Sequence, residues 1–297
     1  MKTTNFVKNK VKFLIIPAVI ILLGVIMYFV NSGFNYDIEF MGGIKMQIAW
    51  ENPASTEEVK SYLEEKTQVS PLVVQTTSTG ISIKTKAVEE EKKNEIFTAL
   101  QEKYSLEDDA LLSVSSASAS FGSQVQRKAF LYTLIAVLCI LLYIAIRFEW
   151  RSAVMAVVAL LINILVMMAV YAVFYTPLNT TFIAAMLTVV GYSINNTIVV
   201  FDRIRENMKR LNVKRGMTVS AIVNDSIKES MGRTINTTIT TLITILLLYF
   251  IGVTSVKEFA FPLIIGVLAG AYSSIFIAGP FWASWKEAEL EAKKIKK

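Results

Sequence analysis

Polar side chains that interrupt apolar runs are where this chain could do chemistry: Asn163, Asn195, Asn196, Arg233, Asn236, Thr237, Thr240 and Thr241. Amides and hydroxyls do not titrate near neutral pH, so most of this set cannot pass protons. Three roles remain open to them: hydrogen bonds between helices, the lining of a hydrated seam, or oxygen ligation of a cation such as sodium. The sequence contains no histidine, which excludes histidine triads, histidine zinc sites and a histidine proton shuttle. A single cysteine, Cys139, lies in an apolar run and cannot form a disulfide within the chain. No nucleophile, metal cluster or phosphate-binding loop is recognisable, so neither an enzyme, a cofactor nor a metal is expected. Glu89, Glu90 and Glu91 suit a solvated helix start better than a metal site.

Apolar helices must position those groups. Hydrophobic residues make up 54% of the 297 positions and charged residues only 18%, a membrane-protein profile. Six runs are long enough to cross a hydrocarbon core of about 30 Å: Phe13–Val30, Ala129–Ile146, Val154–Tyr175, Thr181–Phe201, Ile235–Ile251 and Phe259–Trp282. The first follows four lysines, as a signal peptide would. It is longer than an ordinary signal core and lacks a small-x-small cleavage site, so a retained helix is expected. Gly266 and Gly270 form a small-xxx-small pair suited to close helix packing within the chain.

Charge orients the six spans. Four lysines lie in the first twelve residues, eight basic residues between Asp202 and Arg233, and five in the tail from Lys286 to Lys297. All three belong on the cytoplasmic side, with both termini. Residues 31–124 carry fifteen acidic groups against eight lysines, as expected of a translocated domain. The formal charge of +6 thus reflects topology, not nucleic-acid binding. Trp150, Trp282 and Trp285 fall at helix ends, where an aromatic belt sits. Arg203, Arg205, Lys209 and Arg210 are expected on a helix at the cytoplasmic surface, docking anionic lipid headgroups or a protein partner.

The acidic segment changes period. Ile44, Met46, Ile48 and Trp50 alternate with Lys45, Gln47 and Ala49, as in a half-buried strand, after a glycine turn at Gly42 and Gly43. Ser55 or Thr56 caps a helix with Val59, Tyr62 and Leu63 on one face. Strands at Val69–Thr76 and Ile81–Thr85, a helix over Ala87–Tyr104 and a strand at Leu111–Ser115 complete a βαββαβ order, the split ferredoxin-like plan. The expected fold is therefore a polytopic α-helical membrane protein of six transmembrane helices with a small α+β ferredoxin-like extracytoplasmic domain. Its parts are residues 1–34 (N-terminus and first helix), 35–124 (outer domain), 125–285 (helices two to six with the basic loop 202–233) and 286–297 (basic tail).

Four stretches carry a family resemblance. The run Phe34–Gly43, with Asp37, Gly42 and Gly43, is similar to a G-I-D-F-x-G-G segment. Arg147–Arg151 looks like the turn between the second and third helices of the same family. The most specific are Gly191–Asn207 and Arg233-Thr234-Ile235-Asn236-Thr237, the latter matching R-T-x-N-T. On these residues the sequence resembles, over nearly its whole length, the SecF family of the bacterial SecD/SecF protein-export complex, within the resistance-nodulation-division superfamily. The resemblance implies an accessory role in protein export in the bacterial inner membrane. It implies SecD, the SecYEG channel, YajC and unfolded exported polypeptides as partners, and coupling to an ion gradient. It also implies an acidic residue in the fourth helix and another in the third, with an arginine at the fifth. Here the sequence departs, because those acidic positions correspond to Asn196 and Asn163. A proton relay through them is excluded, leaving cation ligation, helix packing, or coupling carried by SecD. A small-molecule or lipid exporter half of the same superfamily is the second reading, opposed by a single six-helix set with one small domain.

Overall fold

The computed structural model describes residues 5–69, 72–77, 80–85, 90–117, 119–147, 149–210 and 217–295. Ala87–Glu89, Phe148 and the basic stretch 211–216 lie outside the described residues. The chain divides into two compact units, residues 36–131 and the remainder.

The smaller unit begins at Asp37, whose side chain accepts a hydrogen bond from the Ile38 amide at 2.8 Å and so caps a one-turn helix, α2 (Ile38–Met41). The preceding helix, α1 (Lys10–Val30), belongs to the other unit. Gly42 (φ +73°) and Gly43 (φ +139°) then turn the chain through conformations that only glycine adopts without strain. Strand β1 (Gly43–Ala49) follows, and its alternation places Ile44, Met46 and Ile48 in the core. Helix α3 (Thr56–Thr67) starts where the Ser55 hydroxyl accepts from the Glu58 amide at 3.2 Å. Strands β2 (Leu72–Thr77) and β3 (Gly80–Thr85), helix α4 (Glu90–Tyr104) and strand β4 (Leu111–Ala117) complete the unit.

All pairings are antiparallel and the strand order is β2-β3-β1-β4. Ile81 and Ile83 of β3 oppose Ile48 and Met46, while Val59, Leu63, Ile96 and Leu100 cover them from the two helices. Each such buried side chain contributes roughly 1.5–3 kcal/mol relative to exposure.

Asp37 is 2% exposed and joins this unit electrostatically. Its carboxylate lies 3.1 Å from Lys45 on β1 and 3.2 Å from Lys84 on β3. Burial alone would raise its pKa, but the Lys84 and Lys45 charges and the Ile38 amide outweigh that and hold it below the usual carboxylate range. Asp37, Gly42 and Gly43 are thus a cap, a charge clamp and a turn that fix where the first strand starts.

The larger unit is helical. Among the described residues, five helical segments are long and apolar enough to cross a membrane: α1, α6 (Trp150–Val173), α7 (Thr180–Arg210), α8 (Val219–Ile251) and the run Ser255–Lys293. That last run comprises α9 (Thr254–Ser273), a π-helical turn at Ser274–Ala278 and α10 (Gly279–Ile295). The remaining helix, α5 (Ala119–Arg147), contains a shorter apolar stretch of 17 residues, Leu131–Arg147. Helix α9 packs against α6, α7 and α8 and forms the centre of the bundle.

Several helices run past their sequence limits, and the extensions of α7 and α8 meet. The basic residues 203–210 do not form a separate surface helix but continue α7 without a break, and α8 starts sixteen positions before Ile235. Hydropathy falls in both extensions while the helical period persists. Ile204 therefore packs with Val223 and Ile227, and Asn207 donates to the Ser226 hydroxyl at 3.0 Å. At the same end, the buried Phe6 and Val7 are held by the Asn224 side chain, which accepts from the Val7 amide at 3.2 Å and donates to Asn5 at 2.9 Å.

The clamp at Asp37 has a definite acid dependence. With its folded pKa depressed, its stabilisation is complete above the ordinary value of about 4 and lost as pH falls through the folded value. Amide protection of β1 and β3 in the intact chain, corrected for intrinsic exchange, is expected to be level above about pH 5 and to fall below it. Asp37→Asn is expected to lower that protection by about 3 kcal/mol and abolish the acid limb.

Candidate functional site

The centre of the bundle holds a buried polar node built on close helix approach. A Cβ on Gly266 would lie 2.3 Å from Val189 Cγ2, and one on Gly270 would lie 2.9 Å from Ser193 Cβ. The two glycines thus bring α9 against α7 within the chain, as their spacing predicts. Next to them Asn163 of α6 is 1% exposed. Oriented to satisfy its neighbours, its amide oxygen accepts from the Ser193 hydroxyl at 2.6 Å. Its nitrogen then donates to the Ala269 carbonyl at 3.0 Å and the Ser273 hydroxyl at 2.8 Å.

One turn along, the Thr197 and Ser274 hydroxyls share a hydrogen bond of 2.8 Å, and Ser274 also donates to the Gly270 carbonyl at 2.8 Å. Ser274 opens the π-helical turn, an arrangement that frees backbone groups and is common at functional positions. Asn196 is buried on the same face of α7, and its amide nitrogen meets no acceptor among the described residues. The node therefore combines amide and hydroxyl oxygens with a buried, unsatisfied donor. It can order water, hold helices together or offer oxygens to a cation, and neither Asn163 nor Asn196 can carry a proton.

The structure divides the sequence-derived set. Asn163 and Asn196 lie inside, whereas Asn195 is exposed on α7. Arg233, Asn236, Thr237 and Thr240 are exposed on α8, with Thr241 half-buried beside them. The threonine hydroxyls there return to their own helix, Thr237 to the Arg233 carbonyl at 2.9 Å, Thr240 to that of Asn236 at 3.1 Å and Thr241 to that of Thr237 at 2.8 Å. The single seam suggested by the sequence is therefore two features, an internal node and an outward polar stripe on α8. Thr234 and Thr238 face inward instead, and Thr238 lies 3.4 Å from the Tyr192 hydroxyl. Ser193, Thr197, Ser273 and Ser274 escaped the sequence reading; their helical spacing from Asn196 and Gly270 was the available signal.

The four basic residues of α7 also separate. Arg203 pairs with Glu229 at 2.5 Å and Glu206 at 2.7 Å, and Arg210 with Glu206 at 3.3 Å. Hydrogen bonds from Asn207, outweighing burial, and from Arg203 hold the Glu229 carboxyl below its usual range. Arg205 instead donates to the Arg147 carbonyl at 3.4 Å, and Lys209 has no ion pair among the described residues. Among the described residues, no three acidic, cysteine or histidine side chains are grouped to hold a metal.

Residues 96–288 match the family model described as protein export membrane protein SecD/SecF, C-terminal. The chain is 42% identical over 180 residues to protein translocase subunit SecF of Alicyclobacillus acidocaldarius, covering 61% of this chain and 58% of that one. It is 35% identical over 280 residues to the SecF subunit of Thermodesulfovibrio yellowstonii, with 93% and 92% covered. The crystal structure of SecDF, a translocon-associated membrane protein from Thermus thermophilus, superposes with a TM-score of 0.86 at 30% identity. That match covers 96% of this chain and 39% of the SecDF chain, so the present chain spans well under half of that larger protein.

Two substitutions test the node. Asn163→Ala, which removes the shared partner of Ser193 and Ser273, is expected to cost about 1–2 kcal/mol in unfolding titrations in mixed micelles. Gly266→Val forces atoms into Val189 and is expected to cost about 1–3 kcal/mol in the same titration.

Proposed function

The chain belongs to the SecD/SecF family of protein-export membrane proteins, and from that membership we propose that it is an accessory subunit of the Sec translocase, acting with SecD in protein export across the bacterial cytoplasmic membrane. The SecDF relative carries the names of both subunits in one chain, which supports SecD as the partner. The exposed stripe of α8 supports a partner surface in the bilayer. Asn236 is costly against lipid, and burying that face against another helix bundle or a hydrated gap relieves the cost, while Arg233 at the cytoplasmic end reaches the lipid headgroups.

The finer parts of the proposal follow. Six spans cross the membrane, with Leu131–Arg147 as the core of the second, and both termini lie in the cytoplasm with the basic loop 202–233 and the tail 286–297. Residues 35–124 form a ferredoxin-like domain on the outer side, supported by the order β2-β3-β1-β4 and two helices. That domain engages unfolded exported polypeptides. SecYEG and YajC are further partners, and basic residues at the cytoplasmic end meet anionic lipid headgroups. An ion gradient supplies the work, about 2.3 kcal/mol per elementary charge per 100 mV. With amides at Asn163 and Asn196, the titrating groups lie on SecD or the node passes a metal cation.

The α8 surface is testable by cross-linking. A cysteine replacing Asn236 is expected to cross-link to SecD in membranes, whereas the native, exposed Cys139 on α5 is expected not to; no link from position 236 in a complex that copurifies would refute the interface. Energy coupling is separable. In proteoliposomes driven by a proton or a sodium gradient, Asn196→Asp is expected to change export under at least one of the two, and identical export under both removes this position from coupling.

A further inference from the structure

Helix α1 carries a buried proline, Pro17, within its length. Proline has no N–H, so the Phe13 carbonyl four residues earlier loses its helical donor and the helix acquires a point of bending. In hydrocarbon that carbonyl needs another partner. The Tyr272 hydroxyl of α9 supplies it, donating to the Phe13 oxygen at 2.7 Å. The Phe13 ring also lies 4.7 Å from Phe276 of the π-helical turn, and the Tyr272 ring 4.8 Å from the same phenylalanine. Tyr272 immediately precedes Ser273, whose hydroxyl accepts from Asn163 at the polar node.

The two halves of α1 have different attachments. Before Pro17 it is held by Tyr272 and Phe276, and Lys10 donates to Ser284 of α10. After Pro17 it lies on α6, where a Cβ on Gly24 would fall 2.4 Å from the Ala169 Cα and Asn31 donates to the Ala172 carbonyl at 3.4 Å. Between the attachments is a cavity of about 390 Å³, walled by Ile16, Pro17 and Ile20 of α1, Val166 of α6, and Ile265 and Leu268 of α9. Tyr272 and Asn163 line the same space. Beside its proline, therefore, α1 has room to bend.

We propose that α1 is a hinged strap between α6 and α9, with Pro17 as its hinge and the Tyr272 hydroxyl as a pin that releases when the node opens. Separation of α6 from α9 parts Asn163 from Ser273. The later half of α1 travels with α6 while the earlier half stays with α9, so the bend at Pro17 changes and the Tyr272 bond breaks. The inference rests on the membrane-spanning, export-subunit reading above and deepens it, because it gives the node a mechanical route to the helix that precedes residues 36–131 in the chain.

Pulsed electron-resonance distances in the lipid-reconstituted complex with SecD test it, after Cys139→Ala removes the native thiol. Spin labels on Phe29→Cys of α1 and Phe250→Cys of α8, both exposed positions, follow the later half of α1 against the helix that packs on α9. Labels on Phe29→Cys and Phe174→Cys, the latter at the end of α6, report whether that half stays with α6. Tyr272→Phe, which keeps the ring and removes the hydroxyl, is expected to raise the minor 29–250 population about threefold to tenfold, the effect of one interhelical hydrogen bond, while the 29–174 pair keeps one distance. Pro17→Ala returns an N–H to the Phe13 carbonyl; it is expected to leave a single 29–250 distance and to make an added Tyr272→Phe silent. An unchanged 29–250 distribution in Tyr272→Phe, an equal shift in the Pro17→Ala background, or a divided 29–174 distance would each overturn the hinge. Copurification with SecD is scored on the same samples, so a failed complex is distinguishable from a failed hinge.

Discussion

A polar group inside hydrocarbon must find its partner within the protein, because no water is there to supply one. That constraint accounts for most of the architecture of the larger unit. Helix α9 approaches α7 through Gly266 and Gly270, and the close approach leaves backbone and hydroxyl groups of both helices in reach of one another. Asn163 then satisfies Ser193, Ser273 and the Ala269 carbonyl together. The glycines and the amide are parts of one solution. Asn196 is the exception, buried with a nitrogen that meets no acceptor among the described residues.

Local rules read the smaller unit well. Its first strand alternates, Ser55 caps its helix as its residue type requires, and the order of strands and helices follows from such local signals. Asp37 shows their limit. A sequence motif located it beside Gly42 and Gly43, but only the fold brings Lys84, forty-seven positions away, against its carboxylate. No local pattern encodes that meeting.

In the helical unit the apolar runs were legible and the faces were not. Periodicity relates residues on one helix, so Asn236, Thr237 and Thr240 looked equivalent to Asn163 and Asn196 until the orientation of α8 separated them. Small hydroxyl residues such as Ser193 and Ser273 give almost no signal in an apolar run, although they carry the contacts at the node. The extensions of α7 and α8 were hidden for another reason. Hydropathy marks where lipid ends, and a helix whose inward face stays apolar has no cause to stop there.

The docking of Phe6 and Val7 against Asn224 bears on how the chain is assembled. The two partners are separated by 217 positions, so the beginning of the chain reaches its final place only after most of the polypeptide exists. At a synthesis rate of about 5–20 residues per second, this leaves the opening segment unanchored for roughly 10–40 seconds. During that interval the first helix is already in lipid while the segment around Phe6 and Val7 still lacks its partner on α8. Closure of this contact is therefore a late event in biogenesis, one that distinguishes a finished bundle from a truncated one.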